Sequence, residues 1–238
     1  MQPISNTAPV LSLRDVTLAH GTHVVVRSCS CDVPLSGMTL LSGRNGAGKS
    51  TFLQALLGVV RPVHGALLLD GTPVEQGKAR FGYMPQGRSE MPGRTEGALA
   101  IPALAHIRAA LYGQRWGIWA SSRNDKDALE AVLARVGIPN GPRSYVHRPL
   151  GQLSGGERQR VALAQALAPL QNLERAIVLL DEPLAALDTA GRDALLALLA
   201  DLTSAGTSVV LTSHDMAGLA GMMSRNVTLM EETLHVCV

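Results

Sequence analysis

Met38-Thr-Leu-Leu-Ser-Gly-Arg-Asn-Gly-Ala-Gly-Lys-Ser50 is the stretch that decides the fold of this 238-residue chain. Met38 to Ser42 reads as a buried strand, and Thr51 to Val59 reads as a helix. Between them, Gly43 to Ser50 has the G-x-x-x-x-G-K-S spacing of a phosphate-binding loop. Such a loop turns successive backbone N–H groups onto an anion, which requires residues that tolerate positive φ. Gly43, Gly46 and Gly48 supply those positions, and Asn45 is a non-glycine residue that tolerates them. Lys49 is then placed to reach the β- and γ-phosphates of a nucleotide, with the Ser50 hydroxyl positioned for Mg²⁺. The dipole at the start of the following helix favours the same anion. A chance glycine-rich turn is the plainer alternative, and the strand–loop–helix setting argues against it. The run Gly43, Arg44, Asn45, Gly46, Ala47, Gly48, Lys49, Ser50 and Thr51 is therefore the candidate nucleotide-binding segment of an α/β fold.

A second anion-related site follows downstream. Ala176 to Leu180 is a continuous apolar run, as expected of a parallel strand covered on both faces. Asp181 and Glu182 come at its C-terminal end, where open α/β sheets bind ligands. Asp181 is expected to hold Mg²⁺, directly or through water. Side-chain alternation along the strand would point Glu182 elsewhere, free to polarise an attacking water. A pair of solvated acids at a strand end is the alternative, and the phosphate loop disfavours it.

Leu153-Ser-Gly-Gly-Glu-Arg-Gln-Arg160 could by itself be a capped helix start, with Ser154 as N-cap and the helix running from Glu157. Its position between the phosphate loop and Ile177-Val-Leu-Leu-Asp-Glu-Pro183 changes that reading. These three motifs, in this order, resemble the ATP-binding cassette (ABC) family of ATPases over nearly the whole chain. The resemblance implies an α/β fold with a P-loop NTPase core and parallel sheet, an antiparallel β-subdomain and an inserted helical subdomain. It implies ATP and Mg²⁺ as cofactors. It also implies that Ser154, Gly155 and Gly156 serve the nucleotide held by a partner subunit, so that a homodimer forms on ATP binding.

Further motifs carry over position by position. Phe81-Gly-Tyr-Met-Pro-Gln86 resembles the strand entering the Q-loop, which implies that Gln86 lies near Mg²⁺ and the attacking water. Leu184-Ala-Ala-Leu-Asp188 resembles the D-loop, in which Asp188 would couple the two sites of the dimer. Thr212-Ser-His214-Asp follows an expected strand at Ser208 to Leu211. The resemblance implies that His214 contacts the γ-phosphate and orients the catalytic glutamate. One position departs from the family: where an aromatic residue usually stacks on adenine, the chain has His20, which offers less stacking area.

The remaining sequence fits one domain over residues 1–238, with 1–86 and 171–238 as core and β-subdomain and 87–170 as the helical subdomain. Val10–Leu18, Val24–Val33 and Ala66–Asp70 read as the strands of the smaller sheet. Gly87 to Gly97 reads as a surface loop. Ile101, Leu104, Ile107 and Leu111 recur at helical spacing, and Asp127 to Val136 gives another helix. Arg225–Met230 and Leu234–Val238 read as closing strands. Cys29 and Cys31 share a strand face without further ligands at metal-site spacing and read as core residues.

Composition excludes several functions. A formal charge of +2 and 3% aromatic residues give neither the electrostatic footprint nor the stacking platforms of a nucleic-acid binder. No apolar run approaches the ~18 residues of a membrane-spanning helix. Met1-Gln-Pro-Ile-Ser-Asn-Thr-Ala-Pro9 lacks the pattern of a signal peptide and reads as a short tail. The expected location is cytoplasmic, peripheral on the inner face of the cell membrane.

The short insert between Gln86 and Asp181 leaves no room for the coiled coils of chromosome-associated ABC ATPases. The resemblance favours an importer subunit docking on separate integral-membrane permease subunits, with a solute-binding protein outside. Competing readings are an ABC ATPase serving a soluble assembly, such as iron–sulfur cluster biogenesis, and a nucleotide-binding pseudo-enzyme. Intact Lys49, Asp181, Glu182 and His214 oppose the last. Leu111-Tyr-Gly-Gln-Arg-Trp-Gly-Ile-Trp119 is similar to a segment of zinc and manganese uptake ATPases, and Gly87-Arg-Ser-Glu-Met-Pro92 to their Q-loop region. Gly93 to Ala105 departs from their pattern. Packing alone would also account for Trp116 and Trp119. A metal ion is the favoured cargo.

Overall fold

The computed structural model describes residues 8–75, 81–86, 100–113, 123–170, 175–185, 187–213, 217–219 and 221–237. Among these, β3 (Met38–Ser42), β7 (Ile177–Leu180) and β8 (Ser208–Thr212) are buried at every residue. Burial on both faces is why β7 is apolar throughout and why even the polar residues of β3 and β8, Thr39, Ser42, Ser208 and Thr212, are enclosed. They lie within a six-stranded sheet of order β10-β9-β3-β8-β7-β6, where β6 is Phe81–Met84, β9 Arg225–Met230 and β10 Thr233–Cys237. All neighbours pair in parallel except β10 with β9. Register aligns Met84 with Leu180, Leu180 with Leu211, and Leu211 with Leu40. Four strand ends therefore finish along one line.

Alternate residues of these strands enter two different cores. Leu40, Val178, Leu180, Val209 and Leu211 face a helical layer built from α2 (Ala103–Tyr112), α3 (Arg123–Arg135), α4 (Gly155–Leu167) and α5 (Thr189–Ser204). Leu41, Ile177, Leu179, Val210 and Val227 face the other way, onto α1 (Lys49–Leu56) and a second sheet. That sheet is antiparallel, of order β2-β1-β4-β5, with β1 Val10–His20, β2 His23–Pro34, β4 His64–Leu69 and β5 Thr72–Pro73. The result is a mixed α/β architecture with the parallel sheet between two layers.

Several element limits differ from the sequence reading for identifiable reasons. Helix α1 stops at Leu56 rather than Val59, because Gly58 takes a left-handed φ of 71° and its N–H bonds the Ala55 carbonyl. Helix α4 begins at Gly155, two residues earlier than expected, since Ser154 caps the glycines directly. Ile101 is not on the buried face of α2: it precedes the helix and is 44% exposed, and Ala103 and Ile107 fill that face instead. Cys29 is a core residue, but Cys31 is only half-buried, with the two sulfurs 3.9 Å apart. The loop expected at Gly87–Gly97, the segment from Gln114 to Ser122, and residues 1–7 lie outside the described residues.

Strand β6 and helix α4 approach so closely that Gly82 leaves no room for a side chain. A Cβ there would strike the Ala166 carbonyl oxygen and Leu170 Cδ1. Gly82→Ala is therefore expected to destabilise the fold by about 1–3 kcal/mol, the usual range for overpacking. Urea unfolding checks this, and an unchanged midpoint would contradict the packing of α4 on β6.

Candidate functional site

The loop between β3 and α1 takes its shape from three glycines. Gly43, Gly46 and Gly48 have φ values of 152°, 76° and 96°. Asn45, expected to share the positive-φ role, is not among the residues with positive φ, so the glycines alone provide it. A Cβ on Gly48 would collide with Val25 of β2, which pins the loop against the antiparallel sheet. The Ala47 N–H closes a turn onto the Arg44 carbonyl at 3.1 Å. Lys49 is 6% exposed and its Nζ donates to the Gly43 and Arg44 carbonyls at 2.9 and 3.2 Å. Burial pushes the Lys49 ammonium below the usual lysine range, while Glu182 and Asp181 act in the opposite direction.

Lys49 opens onto a cavity of about 450 Å³ that also reaches Asn45, Gly46, Gly48, Ser50 and Thr51. Gln86, two residues after β6, and Glu182, after β7, also line it. His20 and His23 line it too, as paired residues either side of the Gly21-Thr22 turn of the β1–β2 hairpin. The structure thus gathers the phosphate loop, His20, Gln86 and Glu182 around one space. His23 was missed in the sequence, although a two-residue hairpin turn places it opposite His20.

The two carboxylates are held differently from the sequence reading. Strand β7 ends at Leu180, so strand alternation does not orient Glu182. Instead Glu182 takes a left-handed φ of 48°, uncommon outside glycine. Its N–H donates to Thr212 Oγ1 at 2.7 Å, and its Oε2 accepts from Gln86 Nε2 at 2.8 Å. Asp181 is 2% exposed; its N–H reaches the Met84 carbonyl and its Oδ1 accepts from Thr212 Oγ1 at 2.7 Å. Next to it, burial first and the Asp181 charge second push the Tyr83 phenol up to about 12.

Other expected residues lie elsewhere in the chain. Ser154 begins α4 with a capping box: its hydroxyl accepts from the Glu157 N–H, and the Glu157 carboxylate accepts from the Ser154 N–H at 2.8 Å. Ser154, Gly155 and Gly156 do not line the phosphate-loop cavity. Gly156 instead borders a separate space of about 330 Å³ together with Gln159, Leu187 and Gly191. Gln159 Nε2 donates to the Pro183 carbonyl, joining α4 to the turn after Glu182. Asp188 is exposed and caps α5 through the Gly191 N–H at 2.8 Å. His214 lies outside the described residues. Among the described residues, no cluster of three or more His, Cys, Asp or Glu side chains could hold a metal ion by itself.

Comparison with known proteins agrees with this geometry. Residues 26–185 match the ABC transporter family. The manganese transport system ATP-binding protein of Bacillus subtilis is 32% identical over 206 residues, covering 87% of this chain and 77% of its own length. The zinc transport system ATP-binding protein of Treponema pallidum is 28% identical, covering 94% and 80% respectively. A bacterial ABC transporter cassette solved as a dimer shares the fold with a TM-score of 0.72 at 23% identity, covering 94% of this chain and 96% of its own.

The capping box carries its own pH dependence. Burial disfavours the Glu157 carboxylate, but the Ser154 N–H and Arg148 outweigh it and hold its carboxyl below the usual glutamate range. A depressed carboxyl stabilises the fold above its unfolded value, about 4.3, and that contribution is lost as pH falls through the lower folded value. Ser154→Ala is expected to cost about 1 kcal/mol at neutral pH. Glu157→Gln is expected to flatten the loss of stability below about pH 4.3. Thermal unfolding across that range checks both, and an acid limb unchanged in Glu157→Gln would contradict the assignment.

Proposed function

The chain belongs to the ABC transporter family, and from that membership we propose that it is the ATP-hydrolysing subunit of a transition-metal uptake system. The observation that carries this reading is the cavity in which Lys49 and Ser50 face Gln86 and Glu182. The phosphates of ATP lie against Gly43, Arg44, Asn45, Gly46, Ala47, Gly48, Lys49, Ser50 and Thr51. The glycine N–H groups and α1 dipole neutralise the charge, and Lys49 exchanges its carbonyl partners for phosphate oxygens. His20 lies against the base.

Ser50, Gln86 and Asp181 would hold Mg²⁺. Hydroxyl, amide and carboxylate oxygens suit a hard cation, and Mg²⁺ commonly leans on few protein ligands besides substrate phosphates. When bound, the ion supplies neutralisation of the charge on the transferring phosphoryl group. Glu182 takes up the proton of the attacking water or orients that water, while Gln86 fixes its carboxylate in place. His214 acts at the γ-phosphate. Ser154, Gly155 and Gly156 do not line their own chain's cavity; they close over the nucleotide of a second copy, and Asp188 links the two sites.

ATP then joins two subunits, and hydrolysis releases them. Residues 87–170 work as a helical subdomain beside a core formed by 1–86 and 171–238. Among the described residues no helix is long and apolar enough to cross a membrane. In this reading the membrane step falls to permease subunits on which this chain docks from the cytoplasmic side, with a solute-binding protein delivering the cargo. The names of the manganese and zinc relatives support a metal ion as that cargo. They give no support to service in iron–sulfur cluster assembly, and nothing points to a nucleic-acid partner.

Glu182→Gln tests the reading, because it keeps size and hydrogen bonding but removes the base. It is expected to retain ATP binding, lower turnover by about 100-fold or more, and accumulate as an ATP-bound dimer in size-exclusion chromatography. Near-normal turnover would remove Glu182 from its role. For the cargo, manganese- or zinc-loaded binding protein is expected to stimulate ATP hydrolysis in vesicles carrying the full transporter. Stimulation only by a sugar, amino acid or peptide would overturn the metal assignment.

A further inference from the structure

We infer that the Thr212 hydroxyl is the positioning group of this site, setting both the magnesium-side carboxylate Asp181 and the water-side carboxylate Glu182 through one oxygen. This rests on the ATP-hydrolysing reading above and adds to it a residue outside the phosphate loop and the Asp-Glu pair.

The geometry is specific. Thr212 is the last residue of β8 and is fully buried, with no exposed surface. Its Oγ1 donates to Asp181 Oδ1 at 2.7 Å and accepts the Glu182 N–H at 2.7 Å. A hydroxyl is the smallest side-chain group that can donate and accept at once, and both capacities are used here. Register explains how it reaches both. Leu180 pairs with Leu211, so Thr212 stands one step beyond, opposite the point where β7 ends.

Each bond fixes something the chemistry needs. The donated hydrogen bond orients one oxygen of a carboxylate that is otherwise enclosed, leaving the other oxygen available for ligation. The accepted bond captures a backbone N–H that would have continued the β ladder. It holds Glu182 at its left-handed φ of 48°, and from there the side chain meets Gln86 in the cavity wall. Without the hydroxyl, a buried carboxylate oxygen and a buried-edge N–H lose their partner together. Glu182 is then free to relax toward an extended backbone that swings its carboxylate away from Gln86. Lys49, Ser50 and the glycine N–H groups have no bond to Thr212, so initial ATP binding stays largely independent of it.

Thr212→Val keeps the shape and removes the hydroxyl, while Thr212→Ser keeps the hydroxyl. Three properties of each are measured: fluorescent mant-ATP affinity in EDTA, steady-state kcat and KM for ATP with Mg²⁺, and melting temperature. Thr212→Val is expected to bind mant-ATP within about twofold of the unaltered chain, with kcat lowered about 10- to 100-fold and KM little changed. Thr212→Ser is expected to recover kcat to within about threefold. If Thr212→Val does not fold, Thr212→Ala provides the same comparison against Thr212→Ser. Turnover in the hydroxyl-free variant close to that of the unaltered chain would overturn the inference. So would equal losses in the Ser and Val variants, which would make the methyl group the operative part. An unaltered chain that neither binds nor hydrolyses ATP would overturn the ATPase reading itself and this inference with it.

Discussion

The alignment of parallel strand ends is the constraint on which the rest of the structure depends. Met84, Leu180, Leu211 and Leu40 are held side by side by the ladders of β6, β7, β8 and β3. Because β3, β7 and β8 are buried on both faces, sliding one by a single residue would exchange the side chains of two cores at once. The ends cannot drift independently. Whatever follows each strand is therefore delivered to the same edge: Gln86 after β6, Asp181 and Glu182 after β7, the phosphate loop after β3. Residues separated by more than a hundred positions in sequence meet there without any of them choosing the others.

That edge must also accommodate polar groups in an apolar setting. Thr212, Asp181 and Lys49 are each almost fully enclosed. Burial of such groups is costly unless hydrogen bonds replace water. Asp181 is met by Thr212, Lys49 by two loop carbonyls, and Ser42 at the end of β3 by Asn226 and Thr228 of β9. Glu182 adds a strained backbone, of the kind that survives only where surroundings over-determine it. Here the restraints are the Thr212 oxygen on one side and the Gln86 amide on the other.

Much of this was readable from sequence because its signals are local. Met38–Ser42 as strand followed the apolar run, and the phosphate loop followed glycine spacing with Lys49. Glycine conformations at 43, 46 and 48 came from the same logic, whereas Asn45 shows that tolerance of positive φ does not mean its use. Ser154 as a helix cap was also legible, since the Ser–Glu spacing is a local hydrogen-bonding device. What escaped depends on alignment between distant strands. Nothing in the sequence around Thr212 says that its hydroxyl will stand opposite the end of β7. Glu182 was read through strand alternation, yet the strand stops two residues before it. His23 needed the hairpin register, and Ile101 looked helical by spacing although the helix begins only at Ala103.

In the function proposed above, the site so assembled is half of one. Ser154-Gly155-Gly156 at the start of α4 does not line the chain's own cavity, yet Gln159 of the same helix bonds the Pro183 carbonyl beside Glu182. A ligand that brings Ser154 of one copy to the phosphate loop of another would thus act on both catalytic turns. Cysteine crosslinking tests this arrangement most directly. Asn45 is exposed and Gly155 has open space around a new Cβ, so neither cysteine clashes within the chain. Because both positions belong to the proposed nucleotide contacts, ATP binding by the Asn45→Cys, Gly155→Cys chain is measured first. Both are introduced into one chain whose native cysteines are replaced by serine, and oxidation is carried out with and without Mg²⁺–ATP. The expected result is a covalent dimer that forms with Mg²⁺–ATP and not without it, and that needs both new cysteines. A bond closing within single chains, or no ATP-dependent dimer, would contradict the composite site.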